Sequence, residues 1–281
     1  MPCPWLLYPV RAVFREMEVM SIEGNTYKQG SMIADRYIVA ELIGQGSLSD
    51  VYRCIDVSTQ KMVCLKMSNI IEGGKRISNE YKILSLCDIA GVPKVYDLFE
   101  YEGNMVFSME YIEGNTLKCL LDEKRICFDI ALRVIGGVTE IITKLHKNDP
   151  CILYLDVKPE NIIVNKDEVY LIDYGAAVIL NEAEEYVREN EVIYGTRGFA
   201  APEQYEKDIG PVIGKRTDIY GIGALLEKML SYYKNDKSMA GRKHILRECE
   251  RITQNCTRRV YSRRYADAGE VKSEIINLLN Y

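Results

Sequence analysis

Histidine is nearly missing from this sequence: His146 and His244 are the only two in 281 residues. Two imidazoles so far apart in the chain do not suggest a zinc site. Also missing is any Cys-x-x-Cys pair. The nine cysteines, at 3, 54, 64, 87, 119, 127, 151, 249 and 256, are odd in number and scattered through apolar context. They read as small buried hydrophobes in a reducing cytosol, not as a disulfide framework. No apolar run reaches the roughly 18 residues that a membrane-spanning helix needs. The apolar stretch 4–10, PWLLYPV, is too short, and Arg11 and Arg15 follow it where a cleavage region would fall. Neither signal peptide nor anchor is expected, and the expected location is cytoplasmic. Basic excess is absent too: 36 Lys and Arg against 41 Asp and Glu leave a formal net charge of −5. That offers no positive face to nucleic acid. What remains is 47% hydrophobic and 27% charged, the composition of an ordinary folded protein with room for one large domain or two modest lobes.

Strand-like segments crowd the first third. Residues 36–43, 50–56 and 61–67 are short, rich in β-branched and aromatic residues, and separated by glycine-containing or polar turns. A helical pattern follows over 75–87, with Ile77, Tyr81, Leu84 and Leu86 at three- and four-residue spacings or close to them. Two more strands fit 94–101 and 105–111, joined by the turn signal Glu102-Gly103-Asn104. Beyond residue 115 helical periodicity takes over, at 128–147, 218–230, 242–253 and 266–279. The expected fold class is therefore α+β: a small β-rich lobe with one main helix (35–110), a joint at 110–114, and a larger, mostly helical lobe (115–281). Residues 1–34 read as an extension without a place in the core.

Three stretches carry chemistry. The first is Ile43-Gly44-Gln45-Gly46-Ser47-Leu48-Ser49-Asp50-Val51. Glycines at 44 and 46 let a β-turn close over phosphates, since no side chain blocks the backbone N–H groups. A Gly-x-Gly turn is more often merely structural, and a Rossmann reading fails because a strand follows the loop. The second is Val63-Cys64-Leu65-Lys66, a lysine inside an apolar strand. Burying it requires an anion, which phosphate oxygens or Glu80 on the following helix could supply. The competing reading is a solubilising lysine on an edge strand. The third is Tyr154-Leu155-Asp156-Val157-Lys158-Pro159-Glu160-Asn161-Ile162-Ile163-Val164, followed by Leu171-Ile172-Asp173-Tyr174-Gly175.

This third stretch resembles the catalytic loop and metal-binding motif of protein kinases. Gly195-Thr196-Arg197-Gly198-Phe199-Ala200-Ala201-Pro202-Glu203 is similar to the end of a kinase activation segment, and Asp218-Ile219-Tyr220-Gly221 to the helix start beneath the catalytic loop. Ala201-Pro202-Glu203-Gln204-Tyr205 sounds like the bacterial serine/threonine kinases. The resemblance implies a two-lobed serine/threonine protein kinase using ATP and Mg²⁺, with Mn²⁺ as an alternative, and a protein substrate with a serine or threonine acceptor. It casts Asp156 as catalytic base, Lys158 as a charge balance at the γ-phosphate, and Lys66, fixed by Glu80, as the residue orienting the α- and β-phosphates. Asn161 and Asp173 would hold the metal. Ile43, Gly44, Gly46, Val51, Cys64 and Ile163 would surround the nucleotide, with Met109 as gatekeeper and Glu110 and Tyr111 offering hinge hydrogen bonds. Glu203 should pair with Arg264, and Leu84, Val95, Tyr154 and Tyr174 should stack between the lobes.

Four departures stand out. Tyr154-Leu155 replaces the family's His-Arg, so a phosphate on the activation segment has no cation there to meet. Ser49 replaces a third glycine, Lys66 and Glu80 are only 14 residues apart, and the segment between residue 230 and the last helix is short. Competing readings are a pseudokinase acting as a nucleotide-binding scaffold or sensor, and a small-molecule phosphotransferase. The protein-docking segment around Ala201-Pro202-Glu203 argues against the latter.

Overall fold

Residues 26–69, 71–180, 186–187, 195–205 and 212–279 are described by a computed structural model of the chain. Strands β1 (Met32–Ile33), β2 (Tyr37–Gln45), β3 (Ser49–Asp56) and β4 (Lys61–Ser68) lead into helix α1 (Ile71–Ser85), and β5 (Val95–Tyr101) and β6 (Asn104–Glu110) follow. They form one antiparallel sheet in the order β1-β2-β3-β4-β6-β5. Period-two alternation puts Tyr52 and Cys54 of β3 into an apolar layer with Ile33, Val39 and Leu65. The other side of the sheet receives α1.

Two boundaries differ from the sequence reading. The fold begins before residue 35, because β1 pairs with β2 through Met32↔Ile38 and Ile33↔Tyr37, and Ile33 is fully buried. Tyr27 joins it, its ring 5.9 Å from that of Tyr52. A two-residue strand, set off by Ala34 and Asp35 with φ of 50° and 51°, is too short to show a period. The rest of the expected extension, residues 1–25, lies outside the described residues. Helix α1 starts at 71 instead of 75, running through Gly73 and Gly74. Glycine disfavours a helix interior, but packing requires it here: a Cβ on Gly73 would stand 2.3 Å from the Leu48 carbonyl oxygen.

After Gly114 come β7 (Asn115–Thr116), α2 (Leu117–Asp122) and α3 (Phe128–Lys147). Thr116 caps α2, its Oγ1 accepting from the Cys119 N–H at 3.2 Å. Apolar residues at three- and four-residue spacings place Leu132, Ile135, Val138, Ile142 and Leu145 on the buried stripe of α3. Short strands β8 (Ile152–Leu153), β9 (Ile162–Asn165), β10 (Glu168–Leu171) and β11 (Val178–Ile179) carry the loops of interest. Beyond them lie β12 (Tyr186–Val187), α4 (Pro202–Tyr205), β13 (Val212–Ile213), α5 (Lys215–Tyr233), α6 (Lys243–Cys256) and α7 (Ala268–Leu279). One apolar cluster runs from Ile77, Leu84 and Phe107 in the sheet lobe to Tyr154, Leu171, Tyr174 and the C-lobe helices, so the two lobes share a core. Among the described residues, no helix is long and apolar enough to cross a membrane.

Candidate active site

Lys66 stands in β4, a strand buried on both faces, and its charge is met from two directions. Its Nζ donates to Glu80 Oε1 and Oε2 at 2.8 and 2.7 Å and to Asp173 Oδ1 at 2.8 Å. The edge-strand alternative is thereby excluded. Burial disfavours the ammonium, but the carboxylates of Asp173 and Glu80 outweigh it and hold Lys66 protonated beyond lysine's ordinary range. The charge of Lys66 in turn draws the Asp173 carboxyl below the usual carboxylate range. Glu80 also accepts from the Tyr174 N–H at 3.1 Å, which ties α1 to the Asp173-Tyr174-Gly175 turn. Asp173 takes a left-handed φ of 62°, and about half of its side chain is exposed.

Asp156 is the second centre. Its Oδ2 meets Lys158 Nζ at 2.7 Å and Asn161 Nδ2 at 2.9 Å. Its Oδ1 accepts from Thr196 Oγ1 at 2.8 Å, and Lys158 also donates to that hydroxyl at 2.9 Å. Asn161 is buried, and its side-chain Nδ2 donates to both the carboxylate and the backbone carbonyl of Asp156. The Ile172 N–H, just before Asp173, donates to the backbone carbonyl of Asn161 at 2.9 Å, so the two candidate metal-binding segments are bound to each other.

The glycine turn joins β2 to β3 through the pairs Gly44↔Val51 and Gln45↔Asp50, with Ile43 just ahead on β2. Residues directly paired across strands point to the same face. The pairs Val51↔Lys66, Cys64↔Arg53 and Cys64↔Met109 therefore put Val51, Cys64, Lys66 and Met109 on one face of the sheet. Ile163 lies on β9 beside the joint, where Gly114 at φ 150° passes so close that a Cβ would sit 2.7 Å from Ile163 Cγ2. At the joint, Glu110 donates its N–H to the Lys94 carbonyl at 2.7 Å. Tyr111 presents its ring to the Arg53 guanidinium, 5.8 Å away.

A buried frame holds these loops. Asp218 accepts from the N–H groups of Tyr154 and Leu155 at 3.0 and 2.7 Å and meets His146 Nε2 at 2.8 Å, which gives His146 a structural place. Arg264 and Glu203 form the expected pair, with Nη2 to Oε2 at 2.8 Å and both side chains buried. The rings of Tyr154 and Tyr174 stack edge to face at 5.0 Å. Sequence reasoning missed Gln204, whose Nε2 donates to the Leu155 carbonyl at 3.0 Å, and Thr217, which donates to Glu203 at 3.0 Å. Their signal was position alone, beside Glu203 and Asp218.

A curled antiparallel sheet on a helical lobe, with a lysine–glutamate pair in the sheet and an Asp-x-Lys-x-x-Asn loop facing it, is the architecture of the protein kinases. The chain belongs to that family: residues 37–281 match the protein kinase domain. Among curated relatives it is 29% identical to serine/threonine-protein kinase PknD of Chlamydia pneumoniae over 75% of this chain and 26% of the relative. It is 27% identical to serine/threonine-protein kinase PrkC of Bacillus subtilis over 72% of this chain and 31% of the relative. To human myosin light chain kinase family member 4 it is 29% identical, over 73% of this chain and 53% of that one. The chain thus matches from a quarter to about half of the length of these relatives.

Proposed function

We propose that this chain transfers the γ-phosphoryl group of ATP, with Mg²⁺, to a serine or threonine of a protein substrate, and that its lobes divide at residues 110–114. The observation that carries the reading is the Asp156–Lys158–Thr196 contact. It joins a carboxylate able to accept a hydroxyl proton, a cation beside it, and the segment on which a protein substrate would lie. The site fits Mg-ATP. Asn161 and Asp173 offer the hard oxygen atoms that Mg²⁺ prefers, and Lys66 is a buried cation kept charged. Bound Mg-ATP would supply the phosphoryl group and neutralise part of its charge.

In this reading Lys66 orients the phosphates, and Glu80 keeps Lys66 in place. Asp156, fixed by Lys158, Asn161 and Thr196, orients the acceptor hydroxyl and takes its proton. Lys158 offsets negative charge as it moves toward the acceptor. The test is incubation with labelled ATP and Mg²⁺ together with a generic protein acceptor. Label on serine or threonine supports the proposal; tight nucleotide binding with no transfer would leave a nucleotide-binding scaffold in its place.

A further inference from the structure

The connection between β4, ending at Ser68, and α1, starting at Ile71, is short, and it touches the glycine turn twice through one residue. Asn69 donates its side-chain Nδ2 to the Gly46 carbonyl at 3.0 Å and its backbone N–H to the Leu48 carbonyl at 3.2 Å. The turn is also closed on itself, the Gly46 N–H donating to the Ser49 carbonyl at 2.9 Å. Helix α1 abuts the same turn at Gly73, the position where a Cβ would meet the Leu48 oxygen.

We infer that Asn69 is a positioning residue for the phosphate-binding turn, holding the Gly46 peptide so that its N–H groups are set before nucleotide arrives. This rests on the nucleotide-site reading above. The physical basis is the planarity of the trans peptide, in which C=O and N–H point in opposite directions. Fixing the Gly46 carbonyl on Asn69 turns the Ser47 N–H, in the same peptide unit, away from Asn69. A free glycine turn would have to be ordered on binding, and a tethered one loses less entropy. Asn69 also lies between Ser68, two residues after Lys66, and the helix that carries Glu80. One short connection therefore sets the Lys66–Glu80 pair and the turn together. A carboxamide suits the place because it is a donor of the right reach. The isosteric carboxylate lacks the donor and would set negative charge against a carbonyl oxygen.

The test compares Asn69→Ala and Asn69→Asp with the full wild-type chain in three measurements: Mg-ATP affinity and KM, adenosine affinity, and thermal unfolding. The expected result is a several-fold loss of ATP affinity, about fivefold for Asn69→Ala and more for Asn69→Asp. Adenosine affinity and the unfolding midpoint should stay unchanged, because adenosine has no phosphates and Asn69 is exposed. Equal losses for ATP and adenosine would mean a general structural role and overturn the inference. Variants that match a wild type that binds and transfers phosphate would overturn it too, leaving the kinase reading intact. A wild type that binds neither ligand would instead overturn the nucleotide-site reading, and this inference with it.

Discussion

Asp156 and Asp173 are both carboxylates of the proposed site, but their partners differ. Asp173 faces Lys66 and has an exposed edge where a cation would bind, whereas Asp156 is held among Lys158, Asn161 and Thr196. Asp173→Ala should therefore lose Mg²⁺-dependent nucleotide affinity, and Asp156→Ala should keep that affinity while kcat falls by about 10²–10⁴-fold. Nucleotide titration and steady-state kinetics on both variants check this, and an equal loss of affinity would count against the assigned roles. A third aspartate bears on stability. Asp56 is buried, accepts from Arg36 Nε and Nη2 at 3.0 and 2.8 Å, and also accepts from the Ser58 hydroxyl and N–H. The hydrogen bonds from Arg36 draw its carboxyl below the ordinary range. A depressed carboxylate contributes stability above its unfolded pKa of about 3.9 and loses it as pH falls toward the folded value. Asp56→Asn should thus cost about 1–3 kcal/mol at neutral pH, with the gap to wild type narrowing below about pH 4. Denaturant unfolding of both proteins across that range measures it.

Among the elements, the loop between β8 and β9 carries the Tyr154-Leu155 departure from the family pattern. Leu155, at a left-handed φ of 65°, is buried with Leu153, Leu180 and Ile213, where the family's arginine would meet a phosphate. The Leu180 N–H adds a bond to the Cys151 carbonyl at 2.9 Å, and β11 pairs with β8. The start of the activation segment is thus held by apolar packing and a strand pair, neither of which needs added charge. Phosphatase-treated protein should retain most of its activity. A large drop that tracks loss of phosphate from Thr196 or a neighbouring residue would refute this. Helix α1 shows the same dependence on surroundings, since Gly73 and Gly74 lie inside a helix they would weaken in isolation.

Across the whole molecule, the amino-terminal boundary has a measurable consequence. Removing residues 1–25, which carry no motif of the family, should leave thermal stability and kcat/KM near those of the full chain. Removing residues 1–35 also takes away β1 with the fully buried Ile33, together with the Tyr27 ring that packs on Tyr52, and should cost about 2–5 kcal/mol. Thermal unfolding of both truncations decides the point. The sequence by itself determined the α+β class, the order of the longer strands and helices, and the motifs from Gly44 to Glu203, because period and turn chemistry are set by neighbouring residues. That was enough to name the Glu203–Arg264 pair, 61 residues apart, from resemblance. Only the tertiary structure decided that β1 joins the sheet, that α1 begins before its glycines, that Glu110 gives its N–H to Lys94, and that Leu155 lies in an apolar cluster. Each of these rests on contacts with other segments, such as Leu180 and Ile213 against Leu155, whose energies no local period encodes.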